Sequence, residues 1–269
     1  MDLFAGAGGW EEGLGGLGYG ALGIELDPWA CATAVAAGHE RLNADVAALD
    51  PLAFHPVWGL VASPPCQAYS PAGKGHGRRD REWVIACAHE LAVGNDTRRE
   101  RSKQCQDPGS LLTVEPLRWA LALRPRWLAL EQVPPALELW SLFAGLLSAT
   151  GYHATTGLLS AERFGVPQTR KRAFLIASLD GPVKLPEPTR RSYDPRHPDR
   201  VAEHERHLPR WVSVEEALGL KRPGAVLHNG RPRHGFRPLN RPVQTLTTHA
   251  RGWTIRSRRD PGRREAHRG

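Results

Sequence analysis

Apolar positions along the chain alternate between short continuous runs and helical spacing. Met1-Asp2-Leu3-Phe4 reads as a short strand running into Ala5-Gly6-Ala7-Gly8-Gly9, after which Trp10, Leu14 and Leu17 recur on one helical face. Tyr19 to Glu25 predicts a second strand, and Pro28 sits in the first turn of the next helix, where its missing N–H costs nothing. Trp58 to Ala62 predicts a buried strand ended by Pro64-Pro65. Leu111 to Leu123 predicts an amphipathic helix, Trp127 to Glu131 a strand, and Ala136 to Thr150 another helix. Tyr152 to Leu159 and Ala173 to Ala177 predict two late strands, joined by a loop that carries Gln168 to Arg172. This alternation predicts an α/β sheet with crossover connections.

After Ser178 the periodicity fades into proline, arginine and histidine, except where Ser213-Val214-Glu215-Glu216 forms a capping box that opens a short helix. The expected organisation is an α/β domain over residues 1–178, a small irregular lobe over 179–255 and a disordered basic tail over 256–269. Within the first domain, Pro71 to Gly109 reads as an irregular basic insertion around one helix, Glu82 to Val93. It carries Lys74, Arg78, Arg79, Arg81, Arg98, Arg99, Arg101 and Lys103.

Composition narrows the class. The 269 residues are 41% hydrophobic and 24% charged, as in a globular protein. No stretch is apolar enough to span a bilayer and no signal-peptide pattern precedes the glycine run, so a cytoplasmic protein without a membrane partner is expected. The net charge is +8, and of 36 basic residues only Lys74, Lys103, Lys171, Lys184 and Lys221 are lysines. Arginine binds phosphate bidentately and stacks on bases, so the excess suits a nucleic-acid partner, although a GC-rich genome also favours arginine codons. The four cysteines (Cys31, Cys66, Cys87 and Cys105) have no two-residue spacing, so no metal site is expected and free thiols are.

The candidate chemistry sits at the strand ends. A strand, a Gly-x-Gly-Gly turn and a helix bring a ligand close to backbone amides, and Glu25 follows Gly6 at the distance of an acid that grips ribose hydroxyls. Asp45, after a third short segment, could accept from an adenine amino group, although taken singly such a residue is more often a solvated loop aspartate. Cys66 follows Pro64-Pro65, which turns the chain at the carboxyl edge of the sheet, where ligands of open α/β folds bind; a thiol there is a candidate nucleophile. Cys31 and Cys87 fall in helical patterns and Cys105 in a polar loop. Glu131 ends an apolar strand, and a partly desolvated carboxyl there can hold and donate a proton. On an extended backbone Gln168, Arg170 and Arg172 share one face, able to hold a phosphate and a base carbonyl together.

Together these segments resemble the bacterial and phage C5 cytosine-specific DNA methyltransferases over about residues 1–250. Asp2 to Gly9 is similar to the family's first motif, Pro65-Cys66-Gln67 with Ser70 to its nucleophile motif, and Glu131-Gln132-Val133 to its Glu-Asn-Val motif. Gln168-Thr169-Arg170-Lys171-Arg172 resembles its Gln-x-Arg-x-Arg motif, and Arg241-Pro242-Val243-Gln244-Thr245 the segment closing its target-recognition region. The resemblance implies a Rossmann-like S-adenosylmethionine-dependent methyltransferase sheet with helices on both faces and a small target-recognition lobe. It implies S-adenosyl-L-methionine as cofactor, held by Phe4, Ala5, Gly6, Gly8, Gly9, Glu25, Leu26, Asp45, Val46 and Pro65. Catalysis would fall to Cys66, Glu131, Arg170 and Arg172. Double-stranded DNA would be contacted by Gln67, Ser70, Lys74, Arg78, Arg79, Gln168, Arg241 and Thr245, with the insertion over 71–109 in the place of the family's mobile catalytic loop. A cognate restriction endonuclease is the implied partner.

Three departures stand out. Gln132 replaces the family's usual asparagine, the chain starts inside the first motif, and the Gly-Asn helix that returns beside the cofactor is not found after Thr245. A monomer is expected unless a second chain completes the pocket. A transfer-RNA substrate and an inactive remnant or DNA-binding subunit remain the alternatives.

Overall fold

The computed structural model describes residues 1–65, 79–220, 225–228, 237–245 and 254–257. The chain divides into two compact units, Met1–Leu158 with Arg172–Leu185, and Leu159–Lys171 with Pro186–Gly269. The first change of unit therefore falls at residue 158, ahead of the boundary expected near Ser178, so Gln168 and Arg170 group with the second unit and Arg172 with the first.

The first unit is built on a seven-stranded sheet. Its strands are β1 (Asp2–Leu3), β2 (Leu22–Glu25), β3 (Glu40–Asn43), β4 (Gly59–Ala62), β5 (Trp127–Gln132), β6 (His153–Ser160) and, beyond the short β7 (Gln168–Thr169), β8 (Lys171–Ser178). The order is β3-β2-β1-β4-β5-β8-β6. Strands β3 to β5 run parallel and β8 is antiparallel to β5. This is a Rossmann-like, doubly wound α/β sheet. The strand order reverses between β1 and β4, so the crevice at this switch point lies between the loops leaving Leu3 and Ala62. Leu3, Ile24, Leu60, Ala62, Leu128, Leu130 and Leu175 fill the sheet interior, and their near-continuous apolar runs are what strands covered on both faces require.

The helices are α1 (Gly9–Gly15), α2 (Pro28–Ala36), α3 (Arg81–Ala92), α4 (Arg98–Ser102), α5 (Glu115–Leu123) and α6 (Leu137–Ser148). The single helix expected over Leu111 to Leu123 is instead a 3-10 segment, Pro108–Val114, followed by α5. Pro116 explains the break, because its ring removes a helical donor and is tolerated only in a first turn. The second strand begins at Leu22 rather than Tyr19, since Gly18 (φ 82°) turns the chain and Tyr19 packs edge-on against Trp127.

Within the stretch read as an irregular basic insertion, the helix expected over Glu82 to Val93 is α3, and the described segment that follows it is tied into the fold rather than irregular. Val84, Cys87, Ala88 and Leu91 form a buried stripe along α3 at helical spacing and join the main core. Asp80, 1% exposed, accepts from Gln106 N at 2.7 Å, Asp107 N at 3.0 Å and Ser110 Oγ at 2.8 Å, which sews the segment shut. Arg101 pairs with Glu90, and Arg98 pairs with Asp96 and Glu115. Charges that look solvated in sequence are thus spent internally. No helix among the described residues is long and apolar enough to cross a membrane.

In the second unit, α7 (Val214–Ala217) starts at the expected capping box, with Ser213 Oγ accepting from Glu216 N at 3.2 Å and Glu216 Oε2 from Ser213 N at 2.7 Å. The remaining strands are β9 (Ala225–His228), β10 (Arg237–Pro238), β11 (Val243–Gln244) and β12 (Thr254–Ser257). β9 is flanked by antiparallel β10 and β12, and β11 pairs in parallel with β7. The tail expected to be disordered from Arg256 is corrected at its first two residues: Arg256 and Ser257 continue β12, opposite Val226 and Ala225, because the ladder begun at Thr254 and Ile255 satisfies their backbone groups. Residues 258–269 lie outside the described chain. Glu205, 3% exposed, gathers Arg163 Nη2 at 2.6 Å, Ser192 Oγ at 2.7 Å and Ser192 N at 3.0 Å, and so ties the lobe's irregular segments together.

Candidate active site

The loop leaving β1 is built from left-handed residues: Phe4 at φ 58°, Gly6 at 56° and Gly8 at 109°. Phe4 holds this conformation without the freedom of glycine, which costs about 1–2 kcal/mol and marks the turn as one the surroundings enforce. A Cβ on Gly8 would come within 2.5 Å of His39 Cδ2, whereas at Gly6 and Gly9 it would meet nothing within 4 Å. The loop is therefore packed on one side and open on the other. Glu25, at the end of β2, accepts from Gly6 N at 2.9 Å and Asp27 N at 2.8 Å. Each carboxylate oxygen keeps a further lone pair for a ligand hydroxyl. Leu26 is 65% exposed beside it, and Asp45 is exposed just past β3, with its Oδ1 accepting from Ala47 N at 2.9 Å. An open glycine turn, a carboxylate and an exposed apolar side chain fit a nucleoside. The Val46 side chain is 2% exposed and packs into the core, which leaves its backbone as the part facing this loop's surroundings. Ala5 is also buried.

Sequence reasoning missed the charges beneath this loop. Arg41 and Glu11 form an ion pair with side chains only 2% and 4% exposed, and Arg41 Nε also donates to Gly6 O at 3.3 Å. Gly23 leaves room for the pair, because a Cβ there would fall 2.1 Å from Arg41 Nη1. Asp2 is fully buried nearby, and burial, followed by the charge of Glu11, pushes its carboxyl well above the usual carboxylate range.

The exit of β4 is fixed from two sides. Trp10 Nε1 donates to Ser63 Oγ at 2.9 Å, and Gln132 Nε2 donates to Pro64 O at 2.8 Å while its Oε1 accepts from Val133 N at 2.7 Å. Gln132 is 1% exposed, so the extra methylene relative to asparagine is used in reaching this carbonyl. Pro65 is exposed. Cys66, Gln67, Ser70, Lys74 and Arg78 lie outside the described residues. Burial pushes the thiols of Cys87 and Cys105 up to about 11, which leaves both poor nucleophiles at neutral pH.

Across the same edge, β5 and β8 pair with Glu131 opposite Phe174 and Gln132 opposite Ala173. This register brings Arg172 Nε to 2.8 Å from Glu131 Oε1, with the two side chains 17% and 16% exposed. A carboxyl and a guanidinium are thus held together, half-shielded from water, at the strand end. Arg79 donates to Gln106 Oε1 at 3.2 Å.

In the second unit, the Gln-x-Arg and Arg-Pro-x-x-Thr segments clasp each other. Val243 pairs with Gln168 and Gln244 with Thr169; Thr169 Oγ1 donates to Val243 O at 3.4 Å and Thr245 Oγ1 to Thr169 O at 3.3 Å. Thr245, expected at DNA, directs its hydroxyl into this clasp. Arg170 donates its backbone N–H to Gln168 O at 2.9 Å, and Arg241 is half-buried.

The model of the C-5 cytosine-specific DNA methylases matches residues 1–88 and 97–217, which takes in most of the stretch read as an insertion. The type II methyltransferase M.DdeI of Desulfomicrobium norvegicum is 28% identical over 235 residues, covering 81% of this chain and 47% of that protein. The type II methyltransferase M1.HphI of Haemophilus parahaemolyticus is 28% identical over 238 residues, covering 82% and 55%. Among solved structures, the S. pombe Dnmt2 methyltransferase aligns with a TM-score of 0.48 and 18% identity, over 68% of this chain and 50% of that one. The chain spans about half the length of the curated relatives it matches. With the family model matched over most of its residues, the chain belongs to the C-5 cytosine-specific DNA methylases.

Proposed function

We propose that the protein methylates carbon 5 of cytosine in double-stranded DNA, with S-adenosyl-L-methionine as the methyl donor. The observation that carries this reading is the Glu131–Arg172 pair at the carboxyl edge of a sheet whose switch point opens between the glycine loop and the Pro64-Pro65 turn. Glu25, Leu26 and Asp45 would hold the nucleoside part of the donor, and the backbone around Phe4 to Gly9 its remainder; bound there, the donor supplies an electrophilic methyl group.

The chain's own groups perform the rest. A cytosine must leave the base stack, because C5 cannot be reached inside a duplex. The Cys66 thiolate adds to C6 while Glu131 gives a proton to N3, so the electron pair arrives at C5, which takes the methyl group as the donor's methyl–sulfur bond breaks and S-adenosylhomocysteine leaves. A base removes the C5 proton, the C6–S bond breaks to restore the thiolate, and N3 returns its proton to Glu131. Arg172 holds the cytosine O2, with Arg170 in support. Gln168 and Arg241, together with Gln67, Ser70, Lys74, Arg78 and Arg79, contact the DNA. The type II methyltransferases among the relatives support a modification role beside a cognate restriction endonuclease; the protein's place of action in this reading is the cytoplasm, at the nucleoid.

Transfer of labelled methyl groups tests the reading. Wild type incubated with labelled S-adenosylmethionine should mark duplex DNA and not transfer RNA, with bisulfite sequencing locating the cytosines. Cys66→Ala should lose incorporation while keeping its circular dichroism spectrum. Full activity in Cys66→Ala, or label confined to transfer RNA, overturns the proposal.

A further inference from the structure

Glu115 opens α5 with its side chain only 2% exposed, and each of its oxygens is taken by a different arginine. Arg98 Nη1 donates to Oε1 at 2.5 Å and Arg118 Nε to Oε2 at 2.7 Å. Both guanidinium groups then reach the loop that follows β3. Arg98 Nη1 also donates to Ala47 O at 3.1 Å, Arg118 Nη2 to Val46 O at 2.9 Å and Arg118 Nη1 to Leu49 O at 3.1 Å. The partners are distant in sequence, and the arginine side chains are 20% and 10% exposed. Three carbonyls of one short loop are thus held by two planar cations with a single buried carboxylate between them. A lysine presents a point charge and could not span a carboxylate and a carbonyl in this way. The fork geometry is what the site uses.

Asp45 is the residue immediately ahead of the three clamped carbonyls, and it is tied to them through its bond from Ala47 N. Val46, between them, is anchored in the core. We propose that Arg98, Arg118 and Glu115 are positioning residues that aim the Asp45 carboxylate at the exocyclic amino group of the donor's adenine and so set its preference for adenine over a 6-oxo purine. The proposal rests on the reading of this edge as the S-adenosylmethionine site. A carboxylate held in a fixed direction accepts from an amino group and repels a carbonyl oxygen; the same carboxylate on a loose loop turns away from the carbonyl and discriminates less.

The test is binding to the full chain, measured by titration calorimetry, of S-adenosylhomocysteine and S-inosylhomocysteine, which differ in carrying amino or oxo at purine carbon 6 and in the proton that the oxo form bears on N1. Wild type should favour the adenosyl ligand by roughly tenfold or more, the scale of one well-placed hydrogen bond against an unmet acceptor. Arg98→Ala and Arg118→Lys should lower that ratio several-fold through weaker adenosyl binding, and Asp45→Asn, whose amide can donate to an oxo group, should lower or reverse it. Arg98→Lys, the milder change, carries the test if Arg98→Ala does not fold. A merely structural clamp would weaken both ligands equally, so an unchanged ratio in these variants overturns the proposal while leaving the cofactor site intact. No binding of either ligand to wild type would instead remove the cofactor reading itself, and this proposal with it.

Discussion

Gln132→Met is the most informative single change for the structure. The substitution keeps side-chain length and approximate volume but removes both hydrogen bonds of a group that is 1% exposed. It orphans two backbone groups, the Pro64 carbonyl and the Val133 N–H, which Gln132 meets at 2.8 and 2.7 Å. A buried backbone group left without a partner costs about 1–3 kcal/mol, so the pair should cost about 3 kcal/mol after relaxation. For a unit of this size that lowers Tm by roughly 6–12 °C. Gln132→Asn, one methylene shorter, can keep one bond but not both and should lose about 1 kcal/mol. Gln132→Glu keeps the acceptor for Val133 N–H but sets a carboxylate oxygen against the Pro64 carbonyl, so it should be at least as unstable as Gln132→Met at neutral pH. Calorimetric melts of the four proteins give the order Gln, Asn, then Met and Glu. A Met variant melting within about 2 °C of wild type would refute the reasoning, because the two bonds would then contribute nothing net.

Asp2→Asn should stabilise the protein at neutral pH. The folded carboxyl is raised above its unfolded value near 4, so the folded chain holds the extra proton between the two values and stability falls as pH rises through that window. The asparagine variant should melt higher than wild type at pH 7 and close to it at pH 4; a lower Tm at pH 7 would show that the ionised group is stabilising. Gly8→Ala combines a left-handed backbone with a Cβ 2.5 Å from His39 Cδ2, and should cost at least about 2 kcal/mol by denaturant unfolding. Adding His39→Ala should recover only part of that, since it relieves the collision but not the backbone; full recovery would locate all of the cost in the side-chain clash.

The legible parts of the sequence were those in which a local rule acts on neighbouring residues. The glycine turn could be read because left-handed φ is a property of single positions, and the Ser213–Glu216 capping box because its partners are three residues apart. The apolar strands announced the sheet for the same reason. Long-range pairing was invisible. Arg98 and Arg101 look like solvent-facing DNA contacts until Glu115 and Glu90 arrive from other elements, and nothing local marks Arg41 and Glu11 as a buried pair. The helical pattern of α3 was legible inside its basic flanks, whereas Pro116 split a helix that hydrophobic spacing alone made continuous. Thr245 fits a motif in sequence, yet its hydroxyl is directed at Thr169 through a strand pairing that no spacing announces.

The clasp between β7 and β11 also bears on how this lobe can change over evolutionary time. It joins residues 74 positions apart, and its hydrogen bonds run between the two short strands and the residues flanking them, Pro167 and Thr245. Lengthening a loop whose ends are already pinned is cheap, about 0.6 kcal/mol for each doubling. Chain can therefore be gained or lost between Pro186 and Asn240 while Gln168 and Thr169 keep their register. A lobe tied in this way can acquire a new recognition surface by exchange of whole segments, without the stepwise repacking that a core substitution demands.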